Sequence, residues 1–360
     1  MPLIKAYSLK RPPARILLIA MRFLGDALLT TPLIHSLKQA FPEAKIDILI
    51  YRNTAGMFEG NPDINRIIAT PHRPKFRDYL EFIPRIFRRY DLALAVQAGD
   101  RPFIYSLIAA PCRVGAVPPK GATGWWKRYF LNGYAEHDNE HTHTVLQNLK
   151  LADALRIPRS HALIPPHSDS VKSFLLSPEY AVLHPYPQWT YKQWTKEGWL
   201  EIGRYLRRNG MRLVLSGGPG AEEIGYLNEL QSELPKDTLN LAGCVPLGEL
   251  AGIIARARCF VGPDTGITHL AAATGIPVVA LFGPTNPVKW TPWPYGYGQD
   301  KNPFEKCGDR QVNNVYLIQG EGDCVPCDLE GCERHRSSRS ECLRRLPAQR
   351  VIEAIRQVLQ

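Results

Sequence analysis

Two hydrophobic periods alternate along this chain. Residues 15–21 (RILLIAM) form a continuous β-rich apolar run, the pattern of a parallel strand buried on both faces. Residues 26–40 switch to helical spacing, with Leu29, Leu33 and Leu37 on one stripe. Residues 45–51 (KIDILIY) return to strand, and 66–69, 91–97 and 113–117 continue the series with helical stretches between them. Right-handed crossovers turn such a βαβ series into a parallel sheet.

The alternation pauses over 157–179, where Pro158, Pro165, Pro166 and Pro178 punctuate a Ser- and His-containing stretch. That composition suits an inter-domain linker. Strands are then predicted at 180–184, 211–216, 238–242, 259–262 and 277–282, and helices at 196–209, 220–232, 247–257 and 266–274. A last helix over 347–360 carries Val351, Ile355 and Val358 on one face. A chain of 360 residues exceeds one ordinary hydrophobic core. No short-period repeat suggests a solenoid. The expected fold class is α/β: two Rossmann-like, doubly wound parallel-sheet domains facing across a cleft. Their expected bounds are 1–165 and 166–345, the second with a Cys-rich tail, and 346–360 is a helix able to pack back on the first domain.

Composition narrows the class of protein. The apolar runs at 16–20 and 277–282 are too brief for a bilayer span, which needs about 20 apolar residues. The basic N-terminus lacks the apolar region and cleavage site of a signal peptide, so a cytoplasmic location is expected. The net charge of +10 is uneven: residues 1–180 hold 24 Lys and Arg against 15 Asp and Glu, residues 181–360 hold 20 against 19. Nucleic acid, an acidic membrane surface or a phosphorylated substrate would each suit the basic half, and so would a merely soluble basic surface. No recognisable nucleic-acid module interleaves aromatic and basic residues, so no nucleic-acid partner is expected.

Candidate chemistry gathers just after predicted strands, where open parallel sheets bind ligands. The first strand ends in MRFLGD, placing Gly25 and Asp26 there. A single glycine is not the three-glycine dinucleotide fingerprint, which disfavours a nicotinamide or flavin dehydrogenase. By position alone Asp26 reads first as a helix N-cap. The segment Gly262 to Ala273 (GPDTGITHLAAA) leads from a strand through small residues into a helix, a ready phosphate site with Asp264, Thr265, Gly266 and His269 at its start. His269 is alternatively a hydrogen-bonded packing residue. His184 opens an aromatic stretch containing Lys192, a point charge for a diphosphate or a stem covering Trp189 or Trp194. Gly217 and Gly218 permit close backbone approach of a ligand. Glu222 or Glu223 then either accepts from ribose hydroxyls or complements the helix dipole. Cys324, Cys327, Cys332 and Cys342 follow a C-x2-C-x4-C-x9-C spacing, with Cys307 nearby. They read as reduced thiols or as ligands of a structural zinc or iron ion.

Taken in order, Leu24-Gly25-Asp26-Ala27-Leu28, the His184–Pro185 to Lys192 segment, Asp264-Thr265-Gly266-Ile267-Thr268-His269 and Leu281-Phe282-Gly283-Pro284-Thr285-Asn286 resemble the ADP-heptose:lipopolysaccharide heptosyltransferases of glycosyltransferase family 9. The match spans roughly residues 15 to 295 plus the last helix. With Trp290-Thr291-Pro292-Trp293 it most resembles the heptosyltransferase III branch. The resemblance implies a GT-B fold and a metal-independent, inverting transfer of heptose from ADP-heptose, or a related nucleotide sugar, to the lipopolysaccharide inner core. Asp26 then matches the general base and Lys192 the residue that stabilises the departing diphosphate. His184, Gly217, Gly218, Glu222, Asp264, Thr265, Gly266 and His269 fall on the donor side. Gly25, Arg77, Lys127 and Arg128 fall on the acceptor side, in the basic half, which suits a phosphorylated core at an anionic inner membrane surface. Lys127 and Arg128, in a glycine-flanked loop with Trp125 and Trp126, alternatively simply pack. Residues 76–89 (FRDYLEFIPRIFRR) suit an interfacial helix bent at Pro84, or an ordinary core-facing one. Rival readings are a same-family transferase with another nucleotide sugar and a glycan or protein acceptor, and a non-catalytic basic nucleotide- or nucleic-acid-binding protein.

Overall fold

A computed structural model of the chain describes residues 3–168 and 179–360, so residues 169–178 of the predicted linker, with Pro178, lie outside the described residues. The chain divides into two compact units. The first ends at Pro166 and takes in Gly298–Lys301; the second holds His167–Tyr297 and Asn302–Gln360.

In the first unit the apolar runs become β2 (Arg15–Ile19), β3 (Lys45–Tyr51), β4 (Arg66–Thr70), β5 (Leu92–Ala95), β6 (Cys112–Val117) and β7 (Gly133–Glu136), all parallel, with the short β1 (Ile4–Lys5) antiparallel at the edge. The sheet order is β1-β7-β6-β5-β2-β3-β4. The continuous apolar reading of 15–21 is explained by burial: Ile16, Leu17, Leu18 and Ile19 are fully enclosed. Between these strands run α1 (Leu24–Leu28), α2 (Thr31–Ala40), α3 (Phe76–Ile86), α4 (Asp100–Ala109) and α5 (Thr144–Leu155).

Helical spacing over 26–40 resolves into two helices, and Pro32 is the reason. A single helix would need a Pro32 N–H donating to the Leu28 carbonyl, and proline has none. The Thr31 hydroxyl donates to that carbonyl instead (2.8 Å), and the Thr30 hydroxyl donates to the Asp26 carbonyl (2.8 Å).

The excursion Gly298–Lys301 is fastened within the first unit by Asp300. Its carboxylate receives Arg159 Nη1 at 2.5 Å and His161 Nε2 at 2.9 Å.

The second unit repeats the architecture with β8 (Tyr180–Leu183), β9 (Arg212–Leu215), β10 (Leu239–Asn240), β11 (Cys259–Pro263), β12 (Val278–Phe282), β13 (Arg310–Val312) and β14 (Val315–Gln319). Their order is β10-β9-β8-β11-β12-β14-β13, parallel except for the β13–β14 pair. Its helices are α6 (Lys196–Arg208), α7 (Ala221–Glu233), α8 (Leu247–Ile254), α9 (Gly266–Ala273), α10 (Pro287–Trp290), α11 (Glu341–Arg344) and α12 (Ala348–Leu359). Sequence reading missed β13 and β14, the latter hidden in a long polar stretch.

Helix α12 packs within the second unit: Val351, Ile352, Ala354 and Ile355 are buried in the same core as Trp199, Leu281 and Ile318. Its apolar face finds a partner close by in the stripe of α6.

The Cys-rich segment between β14 and α11 is a loop with a closed neck. Glu321 N–H donates to the Cys342 carbonyl at 3.0 Å, and Gly320 N–H donates to the Phe282 carbonyl at 2.7 Å. Only glycine fits at position 320, since a Cβ there would lie 2.6 Å from the Cys342 oxygen.

Candidate active site

Each sheet has one point where the strand order reverses, and parallel sheets bind ligands at the carboxyl edge of that point. In the first sheet it lies between β2 and β5, in the second between β8 and β11.

Asp26 lies in α1, the first helix after β2. It sits in the first turn of α1 without capping it: the N-cap is Phe23 and makes no side-chain capping bond. The capping alternative for Asp26 therefore falls away. The Asp26 side chain is 11% exposed and Arg22 Nε stands 3.4 Å from its Oδ1. Gln97, just after β5, accepts the Met21 N–H at 3.0 Å and ties the two switch-point strands together. Sequence reading missed Gln97 because a lone glutamine after a strand carries no pattern.

The four acceptor-side residues separate. Gly25 is beside Asp26 in α1. Arg77 is exposed on α3. Lys127 and Arg128 are buried in a 3₁₀ turn, Trp125–Phe130, and their charges serve the fold. Lys127 Nζ donates to the Ala98 carbonyl (2.9 Å) and pairs with Asp100 (2.6 Å). Arg128 bonds the Trp125 and Pro118 carbonyls and Glu136. Both cations are satisfied by partners within the fold, which favours packing over a grip on an acceptor.

In the second unit the predicted residues converge. His184 ends β8, its backbone N–H donating to the Val261 carbonyl of β11. Its Nδ1 lies 3.0 Å from the Ser216 carbonyl, which only accepts, so Nδ1 carries the proton. Burial pulls the His184 pKa down to about 4, against the Ser216 bond that raises it.

Asp264 ends β11 and accepts Lys192 Nζ at 2.5 Å, with both side chains largely buried. Lys192 belongs to a single 3₁₀ turn (Thr190–Lys192) and lies 5.8 Å from the Tyr191 ring centre. Thr265 caps α9, its hydroxyl accepting the Thr268 N–H at 3.3 Å. The N–H groups of Gly266 and Ile267 precede the helical ladder and point from its positive end. His269 is buried in the same helix, and among the described residues its Nδ1 has no hydrogen-bond partner. Burial lowers its pKa to about 4; Asp264 raises it and Lys192 lowers it, which places all three in one electrostatic group.

The glycine loop after β9 differs from expectation by one residue. Glu223, not Glu222, turns inward and accepts the Gly218 N–H at 2.7 Å, while Glu222 is exposed. Gly217 has no room for a side chain: a Cβ would meet Leu227 Cδ1 at 2.4 Å.

The Cys-rich loop buttresses these elements. The Ser340 hydroxyl donates to the Tyr191 carbonyl (2.6 Å), Arg336 covers the Trp189 ring at 4.4 Å, and Asp328 accepts the Asn286 N–H at 2.9 Å. Cys342 is buried, with Cys324 and Cys332 exposed and Cys327 between. Among the described residues no group of three or more His, Cys, Asp or Glu stands close enough to hold a metal ion.

Two parallel α/β units, each gathering polar residues at its switch point, define a two-domain protein of the GT-B class. The model of glycosyltransferase family 9 (heptosyltransferase) matches residues 108–313, and the chain belongs to that family of glycosyltransferases. It is 29% identical over 297 residues to lipopolysaccharide heptosyltransferase 3 of Escherichia coli K12, covering 76% of this chain and 83% of that one. Among solved structures it is similar to a family 9 glycosyltransferase of Veillonella parvula (TM-score 0.76, 19% identity, 96% and 97% of the two chains). It is also similar to the Escherichia coli ADP-heptose lipopolysaccharide heptosyltransferase II (TM-score 0.70, 22% identity, 96% and 98%). Among the described residues no helix is long and apolar enough to cross a membrane.

Proposed function

We propose that this chain transfers heptose from ADP-heptose to a sugar of the lipopolysaccharide inner core with inversion, and that it meets its acceptor at an anionic membrane surface. The observation that carries the reading is the buried Lys192–Asp264–His269 group at the start of α9, joined to membership of the heptosyltransferase family.

The second unit binds the donor. The diphosphate takes the positive end of α9 and the Lys192 ammonium, which exchanges part of its bond to Asp264 for phosphate oxygen. Thr265 and Gly266 shape that turn, and neutral His184 and His269 line it without adding charge. Gly217 and Gly218, held by Glu223, form the adenosine-side wall. Asp26 takes the proton from the acceptor hydroxyl as that oxygen bonds to the anomeric carbon. The carbon–oxygen bond to the diphosphate breaks, and ADP departs with its new charge against Lys192. A positioned base of this kind contributes about 10²–10⁴-fold.

The finer reading of the cysteines, a structural zinc or iron ion, rests on their spacing and on the nearness of Cys324, Cys327 and Cys332 to Cys342, whose thiol pKa is pushed up by burial first and then by these three. Among the described residues no group of three or more is close enough to hold the ion. No step runs through it. Metal analysis of the purified protein tests it, and less than one equivalent counts against it.

Purified protein supplied with ADP-heptose and deacylated heptose-containing core should release ADP and extend the core. Equal turnover with another nucleotide sugar, or none with this one, would favour the same-family alternative.

A further inference from the structure

The first unit carries an apolar surface that its own core leaves uncovered. Of the large hydrophobic side chains exposed among the described residues, eight lie between positions 76 and 130, against two in the whole second unit. On α3 the split is sharp. Phe82 and Ile86 are buried against Tyr105 and the β-sheet, while Phe76 is 76% exposed and Leu80 60%. Phe76, Leu80 and Phe87 fall within about 40° of one another around the helix axis, so they form one stripe.

Two further elements extend it. On α4, Tyr105 packs on Phe82 of α3 (5.2 Å) and Phe103 packs on Trp126 and Phe130 (5.7 and 6.3 Å). The exposed Ile104 and Leu107 lie on the arc of α4 between those two contacts, at about 100° per residue. Arg88 N–H donates to the Ile108 carbonyl, which seats Phe87 at the end of α4. The turn Trp125–Phe130 then adds Trp126, Tyr129 and Phe130, with Tyr129 72% exposed. The apolar surface is therefore continuous from α3 over α4 to this turn.

Its charge decides what covers it. Residues 73–130 hold 11 Lys and Arg against 4 Asp and Glu, most of the excess in the basic half. Arg73, Lys75, Arg85, Arg88 and Arg89 are exposed around the stripe. Aromatic and aliphatic side chains ringed by arginine match an anionic bilayer, where the apolar groups enter the headgroup boundary and each nearby cation adds attraction.

We infer that the exposed face of α3, α4 and the Trp125–Phe130 turn docks on an anionic lipid surface as a monotopic contact. This deepens the membrane encounter of the proposed function, and it rests on that reading only for its purpose. Arg101 Nη1 donates to the His72 carbonyl, joining the start of α4 to the segment after β4 at the carboxyl edge where Asp26 stands. A lipid-anchored acceptor held at this face is thus delivered to that edge.

The test is co-sedimentation of the full chain with vesicles of phosphatidylethanolamine and phosphatidylglycerol, and with phosphatidylcholine alone. Binding is expected to the first only, to weaken at high salt, and to fall about tenfold or more in Phe76→Ser/Leu80→Ser/Phe87→Ser. Trp126→Ser/Tyr129→Ser, in the second element, should weaken it as well. Thermal melts confirm that each variant folds, and transfer to deacylated core should be unchanged in all of them. Absent binding to anionic vesicles, or equal binding by a folded triple variant, overturns the inference. So does a concentration-dependent dimer that the triple variant abolishes, which would assign the face to a second copy. Failure of wild-type transfer to deacylated core with vesicle binding intact would instead overturn the proposed function and leave this surface standing.

Discussion

Lys192 Nζ lies 2.5 Å from Asp264 Oδ2, joining the residue that ends β11 to a turn 72 positions earlier in the chain. The pair is mostly buried, so neither partner is dispensable to the other. Lys192→Met should lower kcat about 10²–10³-fold by removing positive charge from the leaving group, as measured by ADP release. Asp264→Asn should cost stability as well, since it leaves a buried ammonium without its carboxylate; a lower Tm alongside lower activity is expected. Wild-type turnover in Lys192→Met would exclude it from the leaving-group role.

Asp26→Asn keeps the size of the side chain and removes the base. Transfer should fall about 10²–10⁴-fold while the calorimetric affinity for ADP stays within about twofold. Comparable loss of both would mean that Asp26 shapes the donor site instead.

The two buried histidines make stability depend on pH in a defined direction. His184 and His269 have folded pKa values lowered to about 4, below the ordinary value of 6.5. Between those values the unfolded chain binds more protons than the folded one, so stability is full above about pH 6.5 and falls as pH drops toward 4. Melting temperature measured across pH 4–7 should show that acid slope, and His184→Gln should flatten it. Neither histidine should place an inflection in kcat between about pH 6 and 8.

Glu223→Ala frees the Gly218 N–H from a half-buried carboxylate. The loss should be about 1–2 kcal/mol in stability, with a raised KM for the nucleotide donor and a smaller change in kcat. Glu222→Ala, one residue away and exposed, should leave both unchanged. Steady-state kinetics of the two variants separate the inward acid from the outward one.

Much of the fold was legible because buried parallel strands read as unbroken apolar runs, as β2, β11 and β12 do. The turn at Asp264 was legible for a related reason: a strand followed by small residues and a helix is a local pattern, and it marked where β11 passes into α9. What stayed hidden depends on side-chain direction. Glu222 and Glu223 differ by about 100° around α7, and only packing against Gly217 and Gly218 chooses between them. Lys127 and Arg128 carry charges that sequence alone assigns to the surface, yet tertiary contacts with Ala98, Asp100 and Glu136 bury them. The break at Pro32 was readable in principle from the missing donor. The exposed stripe of α3 was half legible: its arginines and apolar residues were plain, but not that α4 and the Trp125–Phe130 turn continue it.

The closed neck at Gly320, Glu321 and Cys342 makes the Cys-rich loop a separable module. A chain that leaves β14 and returns to the same spot before α11 asks nothing of the sheet in between. The loop can therefore lengthen, shorten or exchange Cys324, Cys327 and Cys332 with little consequence for the core, which holds Cys342. Such changes would be felt at Trp189, Tyr191 and Asn286, so variation there retunes the donor turn from outside while the scaffold stays the same.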